Sequence, residues 1–258
     1  MSYAITQSLL PMPSKRRSGL RMPSIKFLVA HDTGNPKSTA RNNVNFYTRT
    51  AHDVEASAHL FVDDKEIIEC VPAFVNPEKA WHVWRSTTVD NEMFGVNAND
   101  CAIGVEYCYG DNINADEAYK RYVWILAKLC VDNNLDPMRH IVGHYFLDPK
   151  RKTDPVTGLA HSRRTYDQLL KDVEHEVAVQ NNNAPTPPLT QMAKSLTTVG
   201  CVNVREGRPS TLVNASRVLE KGTVVPITGF TLSGQAVNGN SKWYQISPTE
   251  WVWSGGLI

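Results

Sequence analysis

The chain has 258 residues, room for two domains of unequal size. An apolar fraction of 41%, a charged fraction of 21% and a formal net charge of +1 are those of an ordinary globular protein. They exclude the dense basic face that nucleic-acid binding needs, and no apolar run approaches membrane-spanning length. The local excess of Lys15, Arg16, Arg17, Arg21 and Lys26 reads as a solvated face. The five cysteines, Cys70, Cys101, Cys108, Cys130 and Cys201, are odd in number and form no CxxC pair. Several lie inside apolar runs, as buried free thiols do, which points to folding in a reducing compartment. The first residues, MSYAITQSLLPMPSKRR, lack the apolar core of a signal peptide, so synthesis without an export signal is expected.

In chain order, residues 25–30 (IKFLVA) follow Pro23 and predict a buried strand. The run ends at His31 in the turn-rich HDTGNP, which sets that imidazole at the mouth of a cleft. Residues 38–51 predict a helix capped by Ser38, with Val44 and Tyr47 on one face. Residues 57–62 (SAHLFV) and 66–71 (EIIECV), joined by Asp63-Asp64-Lys65, predict a hairpin. Trp81-His82 come after a Pro-containing loop. Residues 101–107 (CAIGVEY) predict another strand, and Glu106 within it points either to water from a sheet edge or into a cleft. Residues 114–133 carry the strongest helical pattern. Asn114 and Glu117 open it as a capping box, and Tyr119, Tyr122, Val123, Leu126, Leu129 and Cys130 form a core stripe. Residues 140–143 predict a strand, and residues 165–177 a last amphipathic helix.

Between these two elements lies GHYFLDPKRKTDP, with His144, Lys152 and Asp154 in one Pro-punctuated loop. Imidazole and carboxylate both suit zinc, and two or three such ligands plus water make a catalytic rather than a structural site. The same spacing also fits a salt-bridged loop. His52, His140, His161 and His175 have no motif around them and read as surface or satisfied histidines.

From Ala178 the character changes. AVQNNNAPTPPLTQ is polar and Pro-rich and reads as a linker. Beyond it, CVNVREG, RVLEKGTVVPITG, KWYQIS and EWVWSGGLI are short apolar alternations broken by turn residues. They predict a small all-β barrel.

Four pieces of the first domain, LVAHDTGNP, SAHLFVDD, AIGVEYCYG and GHYFLDPKRKTDP, resemble in order and spacing the zinc-dependent N-acetylmuramoyl-L-alanine amidases of the amidase-2 family. That family includes recycling amidases, peptidoglycan recognition proteins and phage endolysins. The resemblance implies an α/β domain with a mixed central sheet flanked by helices. It implies Zn2+ held by His31, His144 and Asp154, with Glu106 carrying proton transfers and Lys152 stabilising an oxyanion. The bond cut joins the lactyl carbonyl of muramic acid to L-alanine, where zinc lowers the pKa of water and polarises the carbonyl. Two departures stand out. The third ligand is an aspartate, as in the recycling amidases, where other members use cysteine. Ala58 stands where some members have a tyrosine, which leaves Glu106 alone with the proton transfers. His59 and Trp81-His82 match the patterns SxHF and AWH and read as pocket-wall or supporting groups.

The last stretch, with VNVREGRPSTLVNASRVLEKGTVVPI, KWYQI and EWVWSGGL, resembles the bacterial SH3-like domains of wall hydrolases. The resemblance implies anchoring to peptidoglycan. Trp243, Tyr244, Trp251 and Trp253 then supply an aromatic contact surface, unless half of them are barrel core. The expected organisation is a catalytic domain over residues 1–177, a linker over 178–195 and an SH3-like barrel over 196–258. Such a protein is expected to act as a monomeric endolysin on bacterial peptidoglycan after release from the host, with no nucleic-acid or membrane partner. A prophage-encoded autolysin would read identically. A recycling amidase needs no wall anchor, and a non-catalytic recognition protein typically lacks a zinc ligand.

Overall fold

Short apolar runs alternating with amphipathic helices build one compact unit up to residue 184, and a second unit follows from residue 185. The computed structural model describes residues 2–181, 187–211, 213 and 215–258. In the first unit, β1 (Ile5–Gln7), β2 (Phe27–Asp32), β3 (Leu60–Val62), β4 (Ile67–Glu69), β5 (Ala102–Tyr107) and β6 (Ile141–Gly143) form one sheet. Their order is β1-β4-β3-β5-β2-β6. The pairs β3–β5, β5–β2 and β2–β6 are parallel, and the expected hairpin β3–β4 is antiparallel. Every residue of β2 is buried, as befits a strand covered on both faces.

The helices are α1 (Ala40–Arg49), α2 (Val89–Phe94), α3 (Ala98–Cys101), α4 (Ala115–Asn133), α5 (Pro137–His140), α6 (His144–Leu147), α7 (Val156–His161) and α8 (Tyr166–Gln180). The α1 cap is Thr39 rather than Ser38: its Oγ1 accepts the Asn42 N–H at 3.2 Å, and Asp63 Oδ2 takes the Ala40 N–H at 2.9 Å. The α4 start is as read, with Asn114 Oδ1 accepting the Glu117 N–H at 3.1 Å. Its whole expected stripe is buried. The short helices α2, α3, α5, α6 and α7 and the three-residue strand β1 have no counterpart in the sequence reading. Elements this short show too few periods to register.

Two boundaries move. The α8 helix runs through Ala178 to Gln180, whose side-chain amide donates to Trp124 O at 3.1 Å. At the other end of the expected linker, residues 190–195 belong to a strand, β7 (Thr190–Thr197). That strand is half polar and mostly exposed, so it is specified by backbone pairing with its neighbour rather than by apolar alternation. Of the linker residues left between them, 182–186 lie outside the described residues.

The second unit consists of β7, β8 (Val202–Glu206), β9 (Ala215–Leu219), β10 (Val224–Thr231), β11 (Trp243–Ser247) and β12 (Glu250–Trp253). They form an antiparallel sheet in the order β7-β10-β11-β12-β8-β9. The all-β expectation holds at this level, and among the described residues the strand order ends at β7 and β9. Strand β10 alternates buried Val225, Ile227 and Gly229 with exposed neighbours, placing one face on a core of Leu196, Val202, Val204, Val252 and Leu257.

Candidate metal centre and catalytic cleft

The parallel strands β2, β5 and β6 end at one edge of the first sheet, the edge where open α/β sheets bind ligands. His31 is the second-last residue of β2, Glu106 is near the end of β5, and His144 comes directly after β6. Register pairs Phe27 with Ala102, Val29 with Gly104 and His31 with Glu106. Laterally paired residues leave the sheet on the same face, so the apolar cluster of Phe27, Val29, Ala102 and Val142 continues directly into His31 and Glu106. The sequence reading placed His31 after its strand. Pairing with β5 carries β2 through it, and the imidazole is therefore held by a ladder rather than a loop.

Asp154 comes to the same point from the loop after α6. Tyr145 N–H donates to Asp154 O at 3.0 Å, and α7 is tied to β2 by Gly158 N–H on Asp32 Oδ2 at 2.7 Å. A Cβ on Gly158 would sit 2.7 Å from Asp32 Cβ, so only glycine permits this approach. Burial raises the Asp32 pKa, against which the Gly158 and Gly34 N–H groups act.

The three expected ligands do converge. His31 Nδ1 lies 2.9 Å and His144 Nδ1 3.0 Å from Asp154 Oδ2, and the donor atoms all lie within 4.8 Å of one another. The residues are 2%, 2% and 8% exposed. Burial lowers the His31 pKa to about 4, with the Asp154 carboxylate beside it opposing the shift. Burial alone would raise Asp154, but the two imidazoles hold its carboxyl below the usual carboxylate range. His144 Nε2 is buried without a hydrogen-bond partner, and so is Glu106 Oε2. Two imidazole nitrogens and a carboxylate oxygen gathered within one ion's reach, with an unpaired Glu106 oxygen on the same sheet face, are a donor set that fits zinc.

Glu106 is the link to the adjacent cleft of about 410 Å³, which is lined by Thr33, Asn35, Ser38, Asn42, Tyr47 and Phe61 among others. Burial, then the nearby charges of Asp154 and Asp32, push the Glu106 carboxyl well above the ordinary range, with Lys152 acting the other way. Lys152 itself is exposed, and its ammonium has no hydrogen-bond or ion-pair partner among the described residues.

The supporting groups divide. His59 is fully buried: its Nδ1 accepts the Gly104 N–H at 3.0 Å and its Nε2–H donates to Glu78 O at 2.9 Å. Neither nitrogen remains for a substrate, so His59 is a wall of the fold and not a contact residue. Trp81 is half-buried, with the Arg85 guanidinium 5.2 Å from its ring centre. In the second unit Trp243 and Trp251 are 1% and 4% exposed. Their burial leaves little surface for the ligand contact expected of them: they lie on the sheet face opposite Tyr244 and Val252, and the Trp243 Nε1–H donates to Gln235 O at 2.8 Å. Tyr244 and Trp253 are half-buried and keep accessible surface.

Fold and site together define a mixed α/β domain that gathers a buried His-His-Asp donor set beside a carboxylate in a cleft. The chain belongs to the N-acetylmuramoyl-L-alanine amidase family (Amidase_2), whose model matches residues 21–157. It is 32% identical over 171 residues to the N-acetylmuramoyl-L-alanine amidase BlyA of Bacillus subtilis (strain 168), covering 63% of this chain and 45% of that protein. The chain spans about half the length of several of the curated relatives it matches. In structure it resembles the catalytic domain of XlyA, with a TM-score of 0.53, 23% identity, and coverage of 66% of this chain and 99% of that one. It also resembles the Staphylococcus aureus hydrolase AmiA, with a TM-score of 0.57, 19% identity, and coverage of 71% of this chain and 88% of that one. At these identities the structural likeness speaks for the fold. Among the described residues no helix is long and apolar enough to cross a membrane.

Proposed function

We propose that the chain is a zinc-dependent peptidoglycan amidase that cleaves the bond between the lactyl carbonyl of N-acetylmuramic acid and L-alanine. The carrying observation is the convergence of His31, His144 and Asp154 on one buried point, with the unpaired Glu106 oxygen next to it on the same sheet face. His31, His144 and Asp154 would hold the metal, and Zn2+ when bound supplies Lewis acidity toward the scissile carbonyl and lowers the pKa of water. Glu106 takes a proton from the attacking water and returns it to the leaving amine of alanine, a role worth about 10²–10⁴-fold. Its raised proton affinity suits that exchange. The free Lys152 ammonium answers the negative charge that develops on the carbonyl oxygen. The polar cleft beside Glu106 seats the stem peptide.

The second unit serves as an SH3-like wall anchor in this reading, with Tyr244 and Trp253 as its contact aromatics. The whole chain then works as an endolysin that degrades the wall and lyses the cell. Purified protein incubated with cell walls, with and without a chelator, tests the reading. Chelator-sensitive release of N-terminal L-alanine without new reducing sugars is expected. Wall binding with neither product would move the chain to the recognition class.

A further inference from the structure

We infer that His82 is a positioning residue that fixes the tautomer of His31, keeping the His31 proton on Nε2 so that Nδ1 presents its lone pair to the metal. This rests on the reading of His31 as a ligand and adds a residue to which the proposed reaction gives no part.

The argument starts at a carbonyl. His82 Nε2 lies 3.1 Å from Ala102 O, which can only accept, so that nitrogen carries a hydrogen. His82 Nδ1 lies 3.0 Å from His31 Nε2. His82 is buried against two further imidazoles, at ring distances of 5.2 Å from His31 and 5.6 Å from His59, and no carboxylate bonds to it. With only imidazoles around it and no carboxylate to balance a second proton, the buried ring carries one proton, the one placed on Nε2 by Ala102 O. Nδ1 is therefore an acceptor, and His31 must donate to it from Nε2. What remains on His31 is Nδ1, the atom that faces Asp154 Oδ2 at 2.9 Å. Two acceptors at that distance demand a positive charge between them, which is the condition a metal ion meets.

The rest of the fold holds His82 for this task. Asn99 Oδ1 accepts both the His82 and the Val83 N–H at 2.9 Å, and Asn99 Nδ2 donates to Val83 O at 2.8 Å. The ring lies over Gly104, where a Cβ would stand 2.8 Å from it. Gly104 is in turn pinned by His59 Nδ1. By contrast, His144 Nε2 has no partner, so nothing presets that ligand. Groups that orient a metal-binding histidine are typically worth 10–100-fold in metal affinity.

The test uses the full chain with ¹⁵N-labelled histidine, stripped of metal and then titrated with zinc against a chromogenic chelator. Ring ¹H–¹⁵N correlations should place the wild-type His31 proton on Nε2. His82→Phe should weaken zinc binding 10–100-fold with the fold kept, and His82→Asn, whose Oδ1 restores the acceptor, should stay near wild type. A wild-type His31 proton on Nδ1 overturns the inference, and that result stands even should the Phe variant not fold. So does a folded His82→Phe protein with wild-type zinc affinity, or an Asn variant as weak as the Phe one. Failure of the wild-type protein to bind zinc would instead remove the metal reading itself.

Discussion

His31 and Glu106 are register partners across β2 and β5, leaving the sheet side by side on one face, yet their environments set them to opposite tasks. His31 spends its nitrogens on His82 and Asp154, whereas Glu106 Oε2 is buried with no hydrogen-bond partner among the described residues. An unpaired buried carboxylate oxygen costs stability, and such groups persist where chemistry needs them.

Glu106→Gln keeps the shape and removes the proton carrier. Amidase turnover, read as new amino termini from cell walls, should fall about 10²–10⁴-fold while bound zinc stays at the wild-type level. Normal turnover in this variant would sink the assignment.

The same carboxyl fixes a pH dependence of stability in chelated protein. Its folded pKa is raised above the unfolded value of about 4.3, so its neutral form is the one the fold prefers. The contribution is fully present below the unfolded pKa and is lost as pH rises through the folded pKa. The melting temperature of Glu106→Gln should therefore gain on wild type as pH rises above about 4.3. A constant difference across pH would mean that Glu106 is solvated.

Much of this arrangement was legible because chemistry-bearing residues sat in ordered motifs: His31, His144 and Asp154 converge, with Glu106 beside His31 in register, at the positions the amidase-2 resemblance implied. What escaped was tertiary. Nothing local says that His59 has both nitrogens consumed by Gly104 and Glu78, or that His82 reaches His31. Alternation in KWYQI shows that Trp243 and Tyr244 face opposite ways but not which one faces the core. Here Tyr244 does, packed on the apolar cluster beside its register partner Val252, while Trp243 is buried on the opposite face with its indole closed by Gln235 O.

Asp154 tests the donor set. Asp154→Ala removes one of three ligands and should abolish both tight zinc binding and activity. Asp154→Cys offers a thiolate, itself a good zinc donor, and should retain zinc. Bound zinc should stabilise the wild-type fold through linkage, by about 4 kcal/mol with free zinc at 1,000 times Kd, and so raise its melting temperature. Metal content after dialysis and thermal melts read both effects. Zinc retained by the alanine variant would place the metal elsewhere.

His59→Leu separates a wall residue from a substrate contact. It leaves the Gly104 N–H and the Glu78 carbonyl buried and unpaired, each costing about 1–3 kcal/mol. Denaturant melts should show the loss, while KM of the protein that remains folded stays unchanged. A raised KM with unaltered stability would return His59 to the substrate.

The second unit offers a paired comparison. Trp243 is fully buried, and a Cβ on Gly234 would stand 2.2 Å from its ring, so the indole and that glycine are in intimate contact. Trp243→Ala should cost about 3–5 kcal/mol, a large share of what a unit this small can hold. Wall binding would then be lost through unfolding. Tyr244 is half-buried, packed on the apolar cluster and with the Lys242 ammonium 5.0 Å from its ring centre, so truncating it removes accessible aromatic surface together with part of a core contact. Tyr244→Ala should lose less stability than Trp243→Ala and stay folded, yet pellet less with purified walls. If it pellets as wild type does, the anchor surface lies away from β11, and Trp253 becomes the aromatic to truncate next.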